Sequence, residues 1–351
     1  WRAVGIPQTV SAGTPLVSIT VDGTPYKFSR DEDFTFVPSR QHNFTITVNK
    51  KPDGDFEFIP SEGGISAWNS DTESHGGTAK EYVVINVSEP GTLDKCVEAS
   101  GKALDKIRNL KVTGKINARD FAVMKCWMPN LSALNLKEVH IVKTVDRGAL
   151  DWSDYGSYWG TVYYPNEEYC LPAEAFLNKK TLITILLPEK LKAIEQNAFA
   201  ECSFLAGSIV FPEGLESIAG GAFKNCENLS AITLPSTLIS LGYEFGAPYD
   251  GPFANCTGLC CELILPEKLE VLGAGAFYQD AGLRGKSYLP EKLKCIGTAA
   301  FRCCRSLTGS LRIPQGITYI PDECFLECGF NGQIFMHDGI KTIGKRAFCG
   351  C

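Results

Sequence analysis

Apolar and polar residues follow two different patterns along the chain, and the change between them divides the sequence. Up to about residue 88, short runs alternate with period two, for example at 16–21, 34–37, 44–48, 56–59 and 82–87. Turn formers such as Asp22-Gly23 lie between the runs. Short alternating strands separated by tight turns are typical of an antiparallel β-sandwich. We therefore assign residues 1–88 to such a domain.

From about residue 130, one aromatic position recurs with a much longer period. Phe returns every 23 or 24 residues, with one interval of 30, usually after Ala and three residues before Cys. A Pro column, with Lys137 in its first place and His337 in its last, runs in parallel. Repeats of this length predict a solenoid, in which neighbouring coils bury each other's apolar side chains. The Phe column comprises Phe176, Phe199, Phe223, Phe253, Phe277, Phe301, Phe325 and Phe348.

Each repeat contains signals for its own local structure. The apolar–x–apolar segment before Pro predicts a short strand, which Pro then ends because it lacks a backbone donor. A second apolar pair, such as Leu191 and Ile194, turns the chain back across the coil. The Ala-Phe-x-x-Cys segment leaves room for one helical turn. Strands stacked in register would form a parallel sheet with about 4.8 Å between coils.

The segment between the two patterns is predicted to cap the solenoid. Leu93, Val97, Leu104, Ile107 and Leu110 have the spacing of an amphipathic helix, and 128–136 resembles a repeat strand. We therefore expect a helical cap at 89–129 and a solenoid at 130–351. The sequence reaches residue 351 on a repeat column without a capping segment, so we expect an exposed end capable of self-association.

Two families are similar to parts of the chain. Residues 229–235 (Leu-Ser-Ala-Ile-Thr-Leu-Pro), followed by Ala-Phe-x-x-Cys, resemble the BspA-type leucine-rich repeat of bacterial surface proteins over about 130–351. That resemblance implies a surface or secreted protein and a role in adhesion. The segments 6–10, 19–23, 44–48 and 65–68 make about 1–70 similar to fimbrillin-like β-sandwich domains. This second resemblance implies surface display, with a pilus-associated or envelope assembly subunit as the alternative role.

Fifteen cysteines raise the question of metal or disulfide chemistry. Most of them follow the repeat, and Lys179 and Asp280 are the two departures from the Cys column. Stacked coils would hold successive Cβ atoms about 4.8 Å apart, farther than the roughly 3.8 Å of a disulfide. The four His residues are widely scattered. We interpret the column as buried packing and predict no metal or other cofactor, while a disulfide ladder and a metal site are the alternatives.

Charge and hydropathy exclude some partners. The net charge is −6, and Lys and Arg form no block, so we expect no nucleic-acid partner. No apolar run reaches the roughly 20 residues of a membrane helix. Trp1 follows no signal sequence, so for a protein outside the cell the signal or anchor segment is not in this chain. We place the protein at the outer cell surface or in the extracellular space.

Two insertions interrupt the solenoid near 142–170 and 242–252. Eleven residues separate Pro188 from Phe199, but eighteen separate Pro235 from Phe253. Both insertions fall in the same part of the coil, so we expect both to project from the same edge. Loops rich in Trp and Tyr, as these insertions are, either cover the flank of the solenoid or contact a protein or glycan ligand. The candidate binding residues are Trp152, Tyr155, Tyr158, Trp159, Tyr163, Tyr164, Tyr243, Phe245 and Tyr249.

An enzyme is the third functional class to consider. Asp151, Asp154, Glu167 and Glu168 could supply paired carboxylates for glycoside hydrolysis, although nothing in the sequence fixes their separation. The chain contains no phosphate-binding Gly loop, nucleophile elbow or His-Glu-x-x-His segment. We therefore predict a non-catalytic binding or adhesion protein.

Overall fold

The structure is a computed structural model, and it divides the chain into two compact units. It describes residues 82–145, 164–285 and 288–351 in full, and elsewhere only the backbone of the strands named below. The units are 1–81 and 82–351, each described here by itself. The change in hydrophobic pattern near residue 88 thus corresponds to a division of the fold a few residues earlier.

The strands described in the first unit all pair antiparallel. β3 lies between β2 and β7, β1 pairs with β4, and β5 pairs with β6. Antiparallel pairing is what period-two alternation predicts. The stacking of these sheets into a sandwich and the fimbrillin-like resemblance stay predictions. The strands are β1 (Thr9–Val10), β2 (Pro15–Val21), β3 (Thr24–Ser29), β4 (Phe34–Thr35), β5 (Ile46–Lys50), β6 (Phe56–Pro60) and β7 (Ala67–Ser70).

The run at 82–87, which the sequence pattern placed in the sandwich, belongs to the second unit. There β8 (Val83–Val87) pairs in parallel with β9 (Asn109–Ile116). Ile85 and Val87 are buried in the core of the cap. The assignment was wrong because alternation shows that a strand has one buried face but not which sheet it joins.

The cap also differs from the predicted amphipathic helix. α1 (Leu93–Ala99) ends early, and Gly101 then takes a left-handed conformation with φ +72°. Leu104 lies in a 3-10 turn and Leu110 in β9. Both are nevertheless buried with Leu93, so the pattern identified the buried residues but not the element that carries them. α2 (Ala118–Cys126) completes the cap.

The solenoid contains two rows of parallel strands. The first row precedes the Pro column and the second follows it; β14, β16, β18, β20, β21 and β23 form one continuous sheet of the second row. The parallel solenoid predicted from the repeat is confirmed. The strands of the two rows are β10 (Ala133–Asn135), β11 (Val139–Ile141), β14 (Cys170–Leu171), β15 (Thr184–Leu186), β16 (Ala193–Ile194), β17 (Gly207–Val210), β18 (Ser217–Ile218), β19 (Leu229–Thr233), β20 (Ser240–Leu241), β21 (Val271–Leu272), β22 (Gly285–Lys286), β23 (Cys295–Ile296), β24 (Leu307–Thr308), β25 (Leu311–Arg312), β26 (Tyr319–Ile320), β27 (Ile334–Phe335) and β28 (Thr342–Ile343). The strands β12 (Gly148–Leu150) and β13 (Thr161–Tyr163) belong to the long insertion.

The Phe column forms a continuous stack of rings through the core. From Phe176 to Phe348, successive ring centroids are 4.9 to 5.8 Å apart, with interplanar angles of 3° to 22°. Phe121 of α2 meets the first ring edge-on at 5.8 Å. The cap therefore closes the stack with a T-shaped contact, one of the favoured geometries for aromatic pairs.

The Ala-Phe-x-x-Cys segments are turns and not helical turns. In a typical coil, Asn197 (φ 55°) and Glu201 (φ 63°) flank Phe199 in the left-handed region. The Phe199 N–H donates to the Ala222 carbonyl of the next coil at 2.7 Å. Alternate N–H groups, such as that of Cys202, bond within the turn, and the others bond to the next coil, so the stacking extends beyond the strands.

The end of the long insertion adds a strand that the sequence pattern did not indicate. β14 joins β16 of the second row, and the Tyr169 N–H donates to the Ile141 carbonyl of β11 at 2.9 Å. In the first row, by contrast, β10 pairs directly with β15. The second row therefore has one strand more than the first at this point, and only part of the segment at 142–170 is a projecting loop.

Candidate functional site

The structure describes the nine candidate binding residues to different extents. Trp152, Tyr155, Tyr158 and Trp159 lie outside the described residues, as do Asp151 and Asp154. Tyr163 is described only as backbone of β13, and Tyr164 is half-buried. Tyr243, Phe245 and Tyr249 are described in full and exposed. The site can therefore be built upward from the short insertion.

The long insertion begins with an antiparallel hairpin beside the cap. β12 pairs with β13, and the backbone of both lies close to α2. Farther along, Tyr169 stacks on His140, with ring centroids 4.7 Å apart and planes 8° apart. This insertion thus packs in part against its own cap and solenoid, as the covering interpretation predicts.

The two described carboxylates of the proposed enzyme alternative are engaged with basic side chains. Glu168 Oε1 lies 2.6 Å from His140 Nε2, and Glu167 is 2.7 Å from Lys143 Nζ. Glu167 therefore forms a surface ion pair with Lys143, and Glu168 shares a hydrogen bond with the His140 ring. This arrangement does not resemble the facing pair of carboxyl groups that glycoside hydrolysis uses.

The short insertion presents aromatic side chains to solvent. Phe245 is 84% exposed, Tyr249 58% and Tyr243 50%. Lys224 lies 5.6 Å from the Tyr249 ring centroid and 2.8 Å from an Asp250 carboxylate oxygen. The Tyr243 ring lies against Gly220, and burial together with the Glu195 carboxylate raises the pKa of its hydroxyl. Tyr243 and Tyr249 thus contact neighbouring residues of the solenoid, whereas the Phe245 side chain projects into solvent.

Glycines of the following coil hold the backbone of this loop in place. A Cβ on Gly273 would lie 2.6 Å from the Tyr243 nitrogen, and one on Gly275 would collide with the Pro248 carbonyl. The Ala274 N–H donates to the Tyr243 carbonyl at 2.9 Å. In the sequence, this close approach is signalled by the two glycines themselves, which stand where an earlier coil has Glu195 and Asn197.

A second exposed apolar set lies on the outer face of the first row. Its members occupy the position two residues before the Pro column, where Thr233 and Arg312 interrupt the set. They are Leu186, Val210, Ile264, Tyr288 and Phe335. We did not single out this column, because period-two alternation with apolar residues on both faces looks like a fully buried strand.

The Cys column consists of free thiols that donate to backbone carbonyls. All fifteen cysteines are free. In six coils the thiol donates to the Phe carbonyl of the preceding coil over 2.8 to 3.2 Å. Burial raises the pKa of Cys202 to about 12 and shifts Cys226, Cys256 and Cys304 in the same direction. Among the described residues no group of His, Cys, Asp and Glu could hold a metal ion.

The two departures from this column have opposite surroundings. Lys179 Nζ donates to the Lys125 and Met128 carbonyls at the end of α2, at 2.9 and 2.5 Å. Burial lowers the pKa of Lys179 to about 8. Asp280 is 0% exposed, and neither carboxylate oxygen has a hydrogen-bond partner. Its pKa is therefore raised well above the ordinary value, because burial disfavours the charged form.

These features define a leucine-rich-repeat solenoid with a decorated surface. The BspA type leucine-rich repeat region matches residues 169–247 and 249–351 in six copies, and the chain belongs to this family. Proteins of the family are typically displayed at the surface or secreted and act in adhesion or binding. Leucine-rich-repeat proteins commonly bind other proteins, and they are generally non-catalytic scaffolds. None of the helices described here has the length and apolar character to cross a membrane.

Solved structures of other leucine-rich-repeat proteins resemble the chain. A T. pallidum protein is 26% identical, with 51% of this chain and 68% of that one covered and a TM-score of 0.35. A Bacteroides ovatus protein is 19% identical over 87% and 79% (TM-score 0.42). A leucine rich cell surface protein of Faecalibacterium prausnitzii is 17% identical over 96% and 75% (TM-score 0.37). No curated protein matches the chain, so the family assignment rests on the repeat match.

Proposed function

We propose that this chain is a non-catalytic binding module, secreted or displayed at the outer cell surface, that recognises a host protein or glycan. The observation that carries the proposal is the short insertion, on which Tyr243, Phe245 and Tyr249 are exposed together. Aromatic side chains contribute much of the free energy of binding at interfaces, at little entropic cost when their backbone is fixed. Gly273 and Gly275 provide that fixed backbone.

The proposal is tested with the full chain against immobilised host matrix proteins and a glycan array. The test variant combines Tyr243→Ala, Phe245→Ala and Tyr249→Ala. We expect it to weaken binding to the wild-type ligand by at least about tenfold, since interface aromatics often contribute 2 kcal/mol or more. A second variant, Trp152→Ala with Trp159→Ala, measures how much the long insertion contributes to the free energy of binding.

The matched control changes exposed apolar residues elsewhere on the solenoid, with Val210→Thr and Ile264→Thr, and should bind as the wild type does. Equal thermal unfolding of all variants shows that the fold is intact. If the aromatic variant binds normally and the control does not, the outer face of the first row is the binding surface. If the wild type binds no member of either panel, the proposal is wrong.

The alternative role, a pilus-associated or envelope assembly subunit, stays a prediction. It depends on the fimbrillin-like resemblance of residues 1–70 and on self-association through the last coil. Deletion of 1–88 and light scattering over a range of concentrations would test it, because an assembly subunit loses its concentration-dependent growth without that segment.

A further inference from the structure

The thiols of the Cys column donate hydrogen bonds to backbone carbonyls. Asp280 occupies a position of this column, where its carboxyl can donate such a bond only when it is protonated. In the regular coils the thiol hydrogen reaches the Phe carbonyl of the preceding coil, as between Cys256 and Phe223 at 3.0 Å and between Cys304 and Phe277 at 3.1 Å. By this register the equivalent acceptor for residue 280 is the carbonyl of Phe253. A carboxylate can only accept a hydrogen bond, whereas a carboxylic acid can donate one.

The surroundings of Asp280 offer little to an anion. Its side chain is completely buried, and both oxygens lack a partner. The titratable groups that respond to its charge are the thiols Cys256, Cys261 and Cys304. Among the described residues, the group that favours ionisation is the backbone N–H of Cys256. Among the side chains that the structure describes, none places a cation beside the ionised form.

The coil that carries Asp280 also has few backbone links in the first row. We call residues 259–282 the Phe277 coil. Among the described coils from 184 to 335, it is the one whose segment before Pro contains no strand. Its links there are a single bridge between Glu262 and Arg284, and the Cys260 N–H, which donates to the Ser230 carbonyl at 3.0 Å.

A small cleft, open to solvent, lies between the Phe277 coil and the coils that follow it. Leu263 and Leu265 line one side, and Tyr288, Leu289, Phe301 and Leu307 line the other. An apolar cleft leaves its lining atoms without packing partners, which weakens the contact between the two coils. The backbone links, the cleft and the unpaired acid all occur in one coil.

We propose that the Phe277 coil is a proton-sensitive joint of the solenoid. With Asp280 protonated, its hydroxyl donates to the Phe253 carbonyl, as the thiols do elsewhere, and the coil stays stacked. With Asp280 ionised, the carboxylate draws water between the coils, and the backbone of the Phe277 coil opens locally. Its neighbours stay folded, because local opening does not require the whole stack to unfold.

The direction of the pH dependence follows from linkage. A carboxyl whose proton is held more tightly in the folded state stabilises the fold at low pH, and this contribution is lost as the pH rises. The joint is therefore closed in acid and opens toward neutral and mildly alkaline pH. Below pH 9 the neighbouring thiols keep their protons and do not obscure the effect.

Hydrogen exchange of the full chain, followed by mass spectrometry between pH 4.5 and 8.5 in reducing buffer, tests the proposal. After correction for intrinsic exchange, amides of 259–282 should exchange at least tenfold faster, relative to those of 205–256, at the upper pH than at the lower. Asp280→Cys and Asp280→Asn, which cannot ionise in this range, should abolish that increase. Asp105→Asn, at an exposed residue paired with Lys106, should retain it.

The outcomes are distinct. An increase that persists in both Asp280 variants assigns the opening to another group and overturns the proposal, as does the absence of an increase in the wild type. If Asp280→Cys fails to fold, Asp280→Asn, which keeps both size and a donor, carries the test alone. None of these results depends on ligand binding.

Discussion

Asp120 in the cap and Asp280 in the solenoid are both completely buried aspartates, and burial raises the pKa of each. Asp120 accepts hydrogen bonds from the N–H groups of Gly91, Leu93 and Asn117, at 2.6 to 2.9 Å. Asp280 accepts none. The start of a helix leaves N–H groups without partners, and Asp120 uses those of α1 and α2. In the coils, by contrast, the backbone N–H groups already pair from coil to coil.

Lys179 extends this contrast to a cation. It fills a Cys-column position, but the neighbouring element is the end of α2, whose last carbonyls have no partner within the helix. A buried polar side chain thus finds hydrogen-bond partners where a helix end supplies unpaired backbone groups. Among the described residues, the interior of the solenoid supplies none to Asp280.

The largest expected effect comes from ionising the buried thiols of the column, whose pKa values burial raises. Raising the pH above 9 should destabilise the protein, because the folded state holds thiol protons that the unfolded state releases. With a pKa near 12, Cys202 alone should cost about 2 kcal/mol at pH 10.5. The measurement is urea unfolding between pH 8 and 11 under reducing conditions.

The control for this experiment is Cys226→Ala. It should lose stability less steeply with pH, because one buried thiol fewer is ionised. A free energy of unfolding that stays flat across pH 9 to 11 would show that the column thiols are not held protonated by the fold.

A smaller effect is expected in the cap. Asp120→Ala leaves three backbone donors without an acceptor and should reduce the free energy of unfolding by about 3 kcal/mol. Asp105→Ala, at an exposed residue, is the matched control and should change it by less than about 0.5 kcal/mol. Equal effects of the two substitutions would mean that water replaces the Asp120 carboxylate without loss.

The smallest effect is expected at the start of the column. Lys179→Ala removes the donor to the Lys125 and Met128 carbonyls and should destabilise by about 2 kcal/mol at pH 7. Because its pKa is about 8 when folded and 10.5 otherwise, Lys179 contributes more stability as the pH rises between those values, opposite to the thiols. Lys180→Ala is the control. If Lys179→Ala and Lys180→Ala have the same free energy of unfolding at pH 7 and at pH 10, Lys179 does not have this role.

The sequence pattern predicted the stack itself, since columns of Phe and Cys recur only when equivalent positions face the same core. It did not predict the local backbone. The left-handed residues flanking each Phe include Glu201 and Cys303, types that give no signal of such a conformation. The strand β14 was hidden because its pairing with β16 is decided by stacking, not by local pattern.

At the candidate site, composition identified the aromatic residues, whereas exposure depends on tertiary contacts. Tyr169, which stacks on His140, and Phe245, which projects into solvent, have similar sequence surroundings in their insertions. The supporting glycines lie in a different coil from the loop they hold. That relation becomes visible only when the coils are stacked.

Each ring of the Phe column contacts the ring before it and the ring after it with nearly the same geometry. Unequal recombination that removes or duplicates one whole coil would therefore bring together two faces that already fit. An insertion shorter than one coil cannot stack on a neighbouring coil in this way. It must project from the solenoid as a loop, as 242–252 does. The length of this protein can thus change over generations in whole steps of its repeat, while its surface varies by smaller insertions.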